Sequence, residues 1–294
     1  MKSKSFINKL MLSLLSLTII TSPFSSTKVS ADSYKVVTLG ADLNQEQKNE
    51  MLKYFNVTKN DANVIEITSK EEYAALGKVA TATQLGNKSI SCSYVEPTNS
   101  GGLDISTNNL TWVTDNMIKN SLITAGIKNA TVKASAPFKV SGTAALTGIL
   151  KGFENSSSGE KIDDSKKEAA NNEIVVTGAL GDKLGQDDAT NLINNVKKDV
   201  IKEKPKTDEE LNKIVDKEVK EFKDKLSDDD INNIKTLMSK INDLHLDYSS
   251  IKDQLNDVTK QLKDKLTSTE AKGFFSKVGD FFSGIWDSIT SLFS

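Results

Sequence analysis

The spacing of apolar residues changes in character near residue 160. Before it, short runs with alternating apolar side chains are separated by segments whose apolar residues recur every three or four positions. Alternation indicates half-buried strands, and the longer spacing indicates amphipathic helices. We predict strands over 34–39, 64–68, 89–95, 102–107, 110–113 and 130–134, and helices over 43–55, 69–76, 115–125 and 141–153. This alternation predicts an α/β domain with a mixed or parallel sheet over residues 32–154.

Beyond a polar linker at 154–160, the spacing is helical almost throughout. We predict one helix over about 187–204 and three amphipathic helices between 207 and 266, packed as a small bundle or a helical hairpin. Ser69, with Glu72, and likewise Thr207 and Ser227 each stand three residues before an acidic residue, as helix N-caps often do. Segment 173–180 fits either a strand or a helix. The predicted fold class is therefore α+β or α/β, with a helical region over 161–266.

Residues 273–294 have the most regular pattern in the chain. At about 100° per residue, their large apolar side chains share one arc of roughly 140°, and these are Phe274, Phe275, Val278, Phe281, Phe282, Ile285, Trp286, Ile289, Leu292 and Phe293. Small polar residues and Lys277, Asp280 and Asp287 lie opposite. We predict a C-terminal amphipathic helix. Its stripe can contact a membrane surface, contact an envelope protein or a second copy of the chain, or pack back onto the protein's own helices.

Residues 1–31 are typical of a secretory signal peptide. Lysines precede an apolar run at 10–20, Pro23 ends that run, and Val29-Ser30-Ala31 fits a small-residue cleavage site. The run is too short to span a membrane, although a retained anchor is the alternative interpretation. We therefore expect a secreted or extracellular protein, which includes a peripheral position at the outer face of the cell membrane.

Composition narrows the classes of partner. The chain carries 38 basic and 40 acidic residues, for a net charge of −2, and all the basic residues are lysine. Without residues 1–31, 34 lysines face 40 acids, a net charge of −6. An acidic chain without arginine is a poor candidate for nucleic-acid binding. The single cysteine excludes an internal disulfide.

One segment of the α/β domain has the pattern of a ligand site. Ser141, Gly142 and Thr143 follow a strand and a proline turn and open a helix of small residues. The free N–H groups of such a helix start, with adjacent hydroxyls, can bind an anion. The alternative interpretation is an ordinary Ser N-cap followed by small residues that allow close helix–sheet packing.

The remaining chemical motifs favour structural interpretations. Cys92 lies on the apolar side of a predicted strand and His245 in a helical segment of another region, so a Cys–His catalytic dyad is not expected. The acidic run at 228–230 lacks calcium-loop spacing and fits the first turn of a helix. Ser249 and Lys252 match S-x-x-K, a weak pattern in a segment rich in both residues. We predict no catalytic residues, no metal site and no cofactor.

Several runs of the sequence resemble one known family. They are VVTLGADL at 36–43, SISCSYVEP at 89–97, NLTWVTDNM at 109–117, ASAPFKVSGTAALTGILKGFE at 134–154 and EIVVTGALGDKLGQ at 173–186. Together they resemble the YpuA-like family of secreted Gram-positive proteins, catalogued as a domain of unknown function. The resemblance covers about 35–260 and implies secretion, with no activity and no functional residues. At Cys92 the family pattern admits Ser, Ala or Cys, which implies that a thiol is not essential there.

Three functions follow as hypotheses. The first is an exported, non-enzymatic, envelope-associated protein that attaches to a membrane surface or a partner through 273–294. The second is a small-ligand or anion-binding domain, or an enzyme, with its site near Ser141. The third is a structural oligomer that assembles through its helical region.

Overall fold

A mixed five-stranded sheet forms the first half of the fold, in a computed structural model that describes residues 34–157 and 161–268. The strands lie in the order β2-β1-β3-β5-β4. The outer pairs β1–β2 and β4–β5 are parallel, and the inner pairs β1–β3 and β3–β5 are antiparallel. Their bounds are Val36–Gly40 for β1, Asn63–Ile67 for β2, Cys92–Pro97 for β3, Leu103–Leu110 for β4 and Ala130–Val140 for β5. The predicted mixed sheet is confirmed.

Helices connect the strands and make up the second half of the described chain. In the first half they are Gln45–Tyr54 (α1), Ser69–Leu76 (α2), Ala82–Leu85 (α3), Asp115–Thr124 (α4) and Thr143–Glu154 (α5). The second half contains Asp164–Leu184 (α6), Gln186–Glu203 (α7), Asp208–Glu218 (α8), Asp228–Asp243 (α9) and Tyr248–Ser268 (α10), with a short 3-10 turn at Val219–Phe222. Segment 173–180 is helical, inside α6. No helix in the described ranges is long and apolar enough to cross a membrane.

The two faces of the sheet are covered by different cores. Helix α1 packs on one face, where Met51 and Phe55 meet Val37, Cys92 and Tyr94. Helix α5 packs on the other face, and the larger core continues from there through α4, α6, α7, α9 and α10. This core contains apolar residues from both sides of residue 160. The boundary between the predicted domains, 32–154 and 161–266, stays a prediction.

Helix α5 lies unusually close to the sheet because it carries glycine at its contact points. A Cβ atom at Gly148 would lie 2.0 Å from Oγ1 of Thr38 and 3.0 Å from Oγ of Ser93. Those two hydroxyls are hydrogen-bonded to each other at 2.6 Å in the buried space under the helix. The sequence interpretation of small residues for close helix–sheet packing describes this contact.

The structure corrects three local predictions. Residues 111–113 are not a separate strand, since β4 runs to Leu110 and the chain then turns into α4. Helix α2 is capped by Thr68 with Glu71, not by Ser69 with Glu72, because Thr68 is the residue with extended backbone angles. Helix α5 begins at Thr143, after Gly142 at the N-cap, so Ser141 does not cap it.

Candidate functional site

Residues 141–143 lie at the junction of β5 and α5 and are held by the β4–α4 connection. Gly142 has a φ of 107°, in the left-handed region that favours glycine, and it is the N-cap of α5. A Cβ there would lie 3.2 Å from Leu110 Cδ1 and from Val113 Cγ2. The carbonyl of Ser141 accepts a hydrogen bond from the backbone N–H of Val113 at 3.3 Å. The positive φ therefore favours glycine at this turn, and an added Cβ would also be tightly packed.

The chain's own carboxylate lies at this helix start. Oγ1 of Thr143 donates a hydrogen bond to Oε2 of Glu72 at 2.8 Å, and the two residues are 3% and 2% exposed. A helix N-terminus favours nearby negative charge. The acidic group that meets the start of α5 in the described structure is therefore the side chain of Glu72. Whether Ser141, Gly142 and Thr143 also bind an external anion stays a prediction.

Two serines just before β3 complete this buried polar cluster. Oγ of Ser91 accepts a hydrogen bond from the backbone N–H of Ala145 at 2.8 Å, which satisfies one free donor of the helix start. The backbone N–H of Ser89 donates to Oδ2 of Asp42 at 2.7 Å. Ser89 Oγ and Glu72 Oε1 are both buried and have no partner with hydrogen-bond geometry among the described residues.

Burial is the main influence on the acidity of this cluster. It raises the pKa of Glu72, and the negative charge of Asp42 acts in the same direction, whereas the hydroxyls of Ser89 and Thr143 act to lower that pKa. The hydroxyl of Ser89 therefore acts on the carboxyl of Glu72 as a weak donor, outside good hydrogen-bond geometry. A carboxyl with a raised pKa can donate or accept a proton. At 2% exposure, however, the group is closed off from solvent, as an internal structural cluster would be.

A second buried cluster joins α4, α6 and α7. Nζ of Lys197 lies 2.8 Å from Oε1 of Glu173, and the two side chains are 0% and 1% exposed. The same ammonium donates to the backbone carbonyl of Asn120 at 2.8 Å and to Oγ1 of Thr124 at 3.1 Å. Thr124 in turn hydrogen-bonds to Oε2 of Glu173. Each of the three N–H groups of the ammonium therefore has a hydrogen-bond acceptor.

The electrostatics of this cluster contain opposing influences. Burial raises the pKa of Glu173 and lowers that of Lys197, and the attraction between the two groups acts against both changes. The side-chain amides of Asn116 and Asn120 lie buried on α4 without a partner among the described residues. No sequence pattern predicts this cluster, because lysine and glutamate in a polar helix are ordinarily surface residues.

The other candidate groups are not brought together. Cys92 is fully buried in the sheet, where burial raises the pKa of its thiol to about 12. His245 is exposed and follows α9, with a φ of 49°. Ser227 caps α9 in a capping box with Asp230, and Asp230 also pairs with Lys183 at 2.5 Å. In the two described ranges, no three His, Cys, Asp or Glu side chains lie close enough to hold a metal ion. The predicted stripe of 273–294 lies outside those ranges.

Comparison with known proteins adds a family. The model of the family described as "Protein of unknown function (DUF1002)" matches residues 39–258. A Bacillus subtilis (strain 168) protein described as "Uncharacterized protein YpuA" is 39% identical over 260 residues, which cover 88% of this chain and 89% of that protein. No solved structure matches the chain. The family resemblance predicted from the sequence is confirmed.

Proposed function

We propose that this chain, which belongs to the DUF1002 family of proteins of unknown function, is an exported, non-catalytic protein of the cell envelope. In this proposal, residues 1–31 direct export, and residues 273–294 attach the folded part to a membrane surface. The amphipathic pattern of 273–294 is the single observation that carries the proposal. The apolar run at 10–20 and the small-residue cleavage motif that follows support export.

The described fold supports a separate role for that C-terminal stripe. Leu255, Val258 and Leu262 of α10 are fully buried against the other helices, so the apolar face of α10 is already in use. The stripe begins at Phe274, after the polar segment 267–272. It is therefore a second apolar stripe, separate from the buried apolar face of α10. A lipid surface is the partner that such a stripe suits best.

The charges opposite the stripe define the kind of membrane binding expected. Lys277 is outnumbered by Asp280 and Asp287, and the rest of that face is Ser, Gly and Thr. Attraction to anionic lipid therefore contributes little, and insertion of the large apolar side chains provides the binding free energy. We expect binding to depend on lipid packing and curvature more than on lipid charge or salt.

Vesicle flotation tests the proposal with the chain of residues 32–294. Small, highly curved phosphatidylcholine vesicles should carry the protein upward more than large vesicles do, and added phosphatidylglycerol should change the bound fraction little. The triple variant Phe274→Ser/Phe281→Ser/Trp286→Ser should lose most of the binding, because each change removes one large apolar contact.

A matched control removes three exposed aromatic residues elsewhere. Tyr54, Tyr73 and Phe138 are 44%, 44% and 47% exposed, and their replacement by Ser should leave flotation unchanged. Equal flotation of the stripe variant and the unaltered chain would refute membrane attachment through 273–294. If neither floats but the stripe variant alone changes the mass measured by light scattering, the stripe mediates self-association, and the membrane proposal fails.

A further inference from the structure

The described part of the chain contains a large groove on the side of the fold where α6 begins. Its volume is about 920 Å³, and three connections line it. These are the β3–β4 loop, the loop between α4 and β5, and the segment that leads into α6, with Tyr34 and Phe153 adding aromatic surface. Loops that converge on one concavity over a rigid scaffold are a common setting for ligand binding.

Lysines give this groove a charge opposite to that of the chain. Lys128, Lys161 and Lys166 line it together with the acids Glu96 and Asp163, so the lining carries a charge of +1. The whole chain carries −2. We call this region, defined by those three lysines, the lysine groove.

The two acids are engaged by their own neighbours. Glu96 accepts a hydrogen bond from the hydroxyl of Tyr94 through Oε2, and its Oε1 lies 4.0 Å from Nζ of Lys35. Asp163 accepts hydrogen bonds from the hydroxyl and backbone N–H of Ser165 at the start of α6, and these bonds are the main reason that its pKa is lowered. Both carboxylates therefore already have donors within the fold.

None of the three lysines forms an ion pair with a described carboxylate, although the charge of Lys166 contributes to the lowered pKa of Asp163. Within the described ranges, no carboxylate oxygen lies within 4.0 Å of the ammonium groups of Lys128, Lys161 or Lys166. The ammonium of Lys166 lies over the backbone of Gly126, where an added Cβ would stand 3.4 Å from Nζ. Gly126 thus leaves open the space beside this ammonium.

We propose that the lysine groove binds a small ligand that carries a phosphate group and a sugar or other ring. Lysine ammonium groups bind phosphate as point charges, and three lysines line this one concavity. The exposed ring of Tyr34, at 61% exposure, and the half-buried Phe153 offer apolar surface for the ring of the ligand. A volume of about 920 Å³ exceeds that of a bare ion and suits a compact organic ligand.

Titration calorimetry tests this inference on the chain of residues 32–294 with glucose 1-phosphate, inorganic phosphate and glucose as probes. Glucose 1-phosphate should bind at one site per chain and more tightly than inorganic phosphate, and glucose should not bind measurably. The variant Lys128→Gln/Lys161→Gln/Lys166→Gln should raise the Kd for glucose 1-phosphate by about tenfold or more. Asn99→Asp, which adds a negative charge to the lining, should also raise it.

A second triple variant separates a specific site from diffuse charge. Lys70, Lys213 and Lys252 are exposed and lie outside the groove, so Lys70→Gln/Lys213→Gln/Lys252→Gln makes the same change in net charge. That variant should keep the Kd within about twofold, since exposed charges more than about 10 Å away are largely screened at ordinary salt. Equal losses in both variants, or no binding of either phosphate probe to the unaltered chain, would overturn the proposal.

Vesicles that contain phosphatidylglycerol distinguish a soluble ligand from a lipid headgroup. If the groove variant loses vesicle binding while glucose 1-phosphate binds neither protein, the phosphate belongs to a lipid and the soluble-ligand proposal is wrong. The stripe variant should bind glucose 1-phosphate as the unaltered chain does. Failure of the groove proposal therefore leaves membrane attachment through 273–294 untouched, and the reverse also holds.

Discussion

Gly148 is the residue at which α5 comes closest to the sheet, and the space there does not admit a methyl group. The added Cβ of Gly148→Ala would lie 2.0 Å from Thr38 Oγ1 and 2.9 Å from Thr38 Cβ. Thr38 is fully buried in β1 and cannot swing away. Overpacking should cost about 1–3 kcal/mol and the helix propensity gained is about 1 kcal/mol, so the variant should be less stable by up to about 2 kcal/mol in urea unfolding.

Gly181 in α6 provides the matched control for Gly148. A Cβ at Gly181 would also meet an atom at 2.2 Å, but that atom is Oε1 of Gln186, at the end of a flexible side chain. The side chain can rotate, so Gly181→Ala should change the free energy of unfolding by less than about 1 kcal/mol. Equal destabilisation by both substitutions would show that close contact with Thr38 is not what requires glycine at position 148.

The local sequence does not determine which residue caps α2. Thr68 and Ser69 are both good N-cap residues, each followed three positions later by glutamate, and local sequence cannot choose between them. The choice of Thr68 turns Glu72 toward Thr143, which lies 71 positions further along the chain. The contact that defines the start of α5 therefore depends on tertiary packing, which no local pattern records.

At the scale of elements, regular patterns predicted well and isolated polar residues did not. Strict alternation located β3, and the three-to-four spacing located the helices from α7 to α10. Segment 173–180 stayed ambiguous because its apolar run, Ile174 to Val176, fits a strand as well as a buried helix face. Short α3 carries too few apolar residues for a periodicity to appear. The burial of Glu173 could not be predicted from the local sequence, because its partner, Lys197, lies on a different helix.

The pair formed by Glu173 and Lys197 ties α6 to α7 within the larger core, and breaking it from one side should be costly. Lys197→Met leaves the buried carboxyl without its ammonium, and Glu173→Gln leaves the ammonium without its carboxylate. We expect each single variant to lose about 3–5 kcal/mol in the free energy of unfolding.

A double-mutant cycle in urea uses Glu173→Met, Lys197→Met and their combination. It separates the free energy of interaction between the two side chains from the cost of burying their charges. The double variant should be more stable than the sum of the single losses predicts, because no uncompensated charge remains in the core. Strictly additive losses would show that the two side chains act independently and that the 2.8 Å contact contributes no coupling.

Two surfaces are proposed for the whole molecule, and only one of them has a signal in the sequence. The apolar stripe of 273–294 is predicted from the periodicity of the sequence alone, and it lies outside the described residues. The lysine groove could not be predicted, because its lysines come from positions 128, 161 and 166 and only the fold brings their segments around one concavity. Both belong to one chain, so a protein attached through the stripe would hold its groove at the envelope surface.

Acid stability of the whole fold provides a last prediction, because an ion pair between α2 and α5 holds the pKa of Glu71 at about 2, chiefly through the hydrogen bond from Lys151. The ordinary pKa is 4.5, so the pair contributes stability above about pH 4.5 and loses it as the pH falls toward 2. Both side chains are more than a third exposed, so solvent screening limits the contribution to about 1 kcal/mol.

Glu71→Gln should lower the free energy of unfolding by about that amount at pH 7, and its difference from the unaltered chain should shrink below pH 4.5 in urea titrations. Glu46→Gln, in the first turn of α1 and without a lysine partner among the described residues, should show a smaller difference at pH 7. A loss at position 71 that stays constant from pH 7 to pH 2 would assign its effect to the Thr68 cap and not to the charge of the carboxylate.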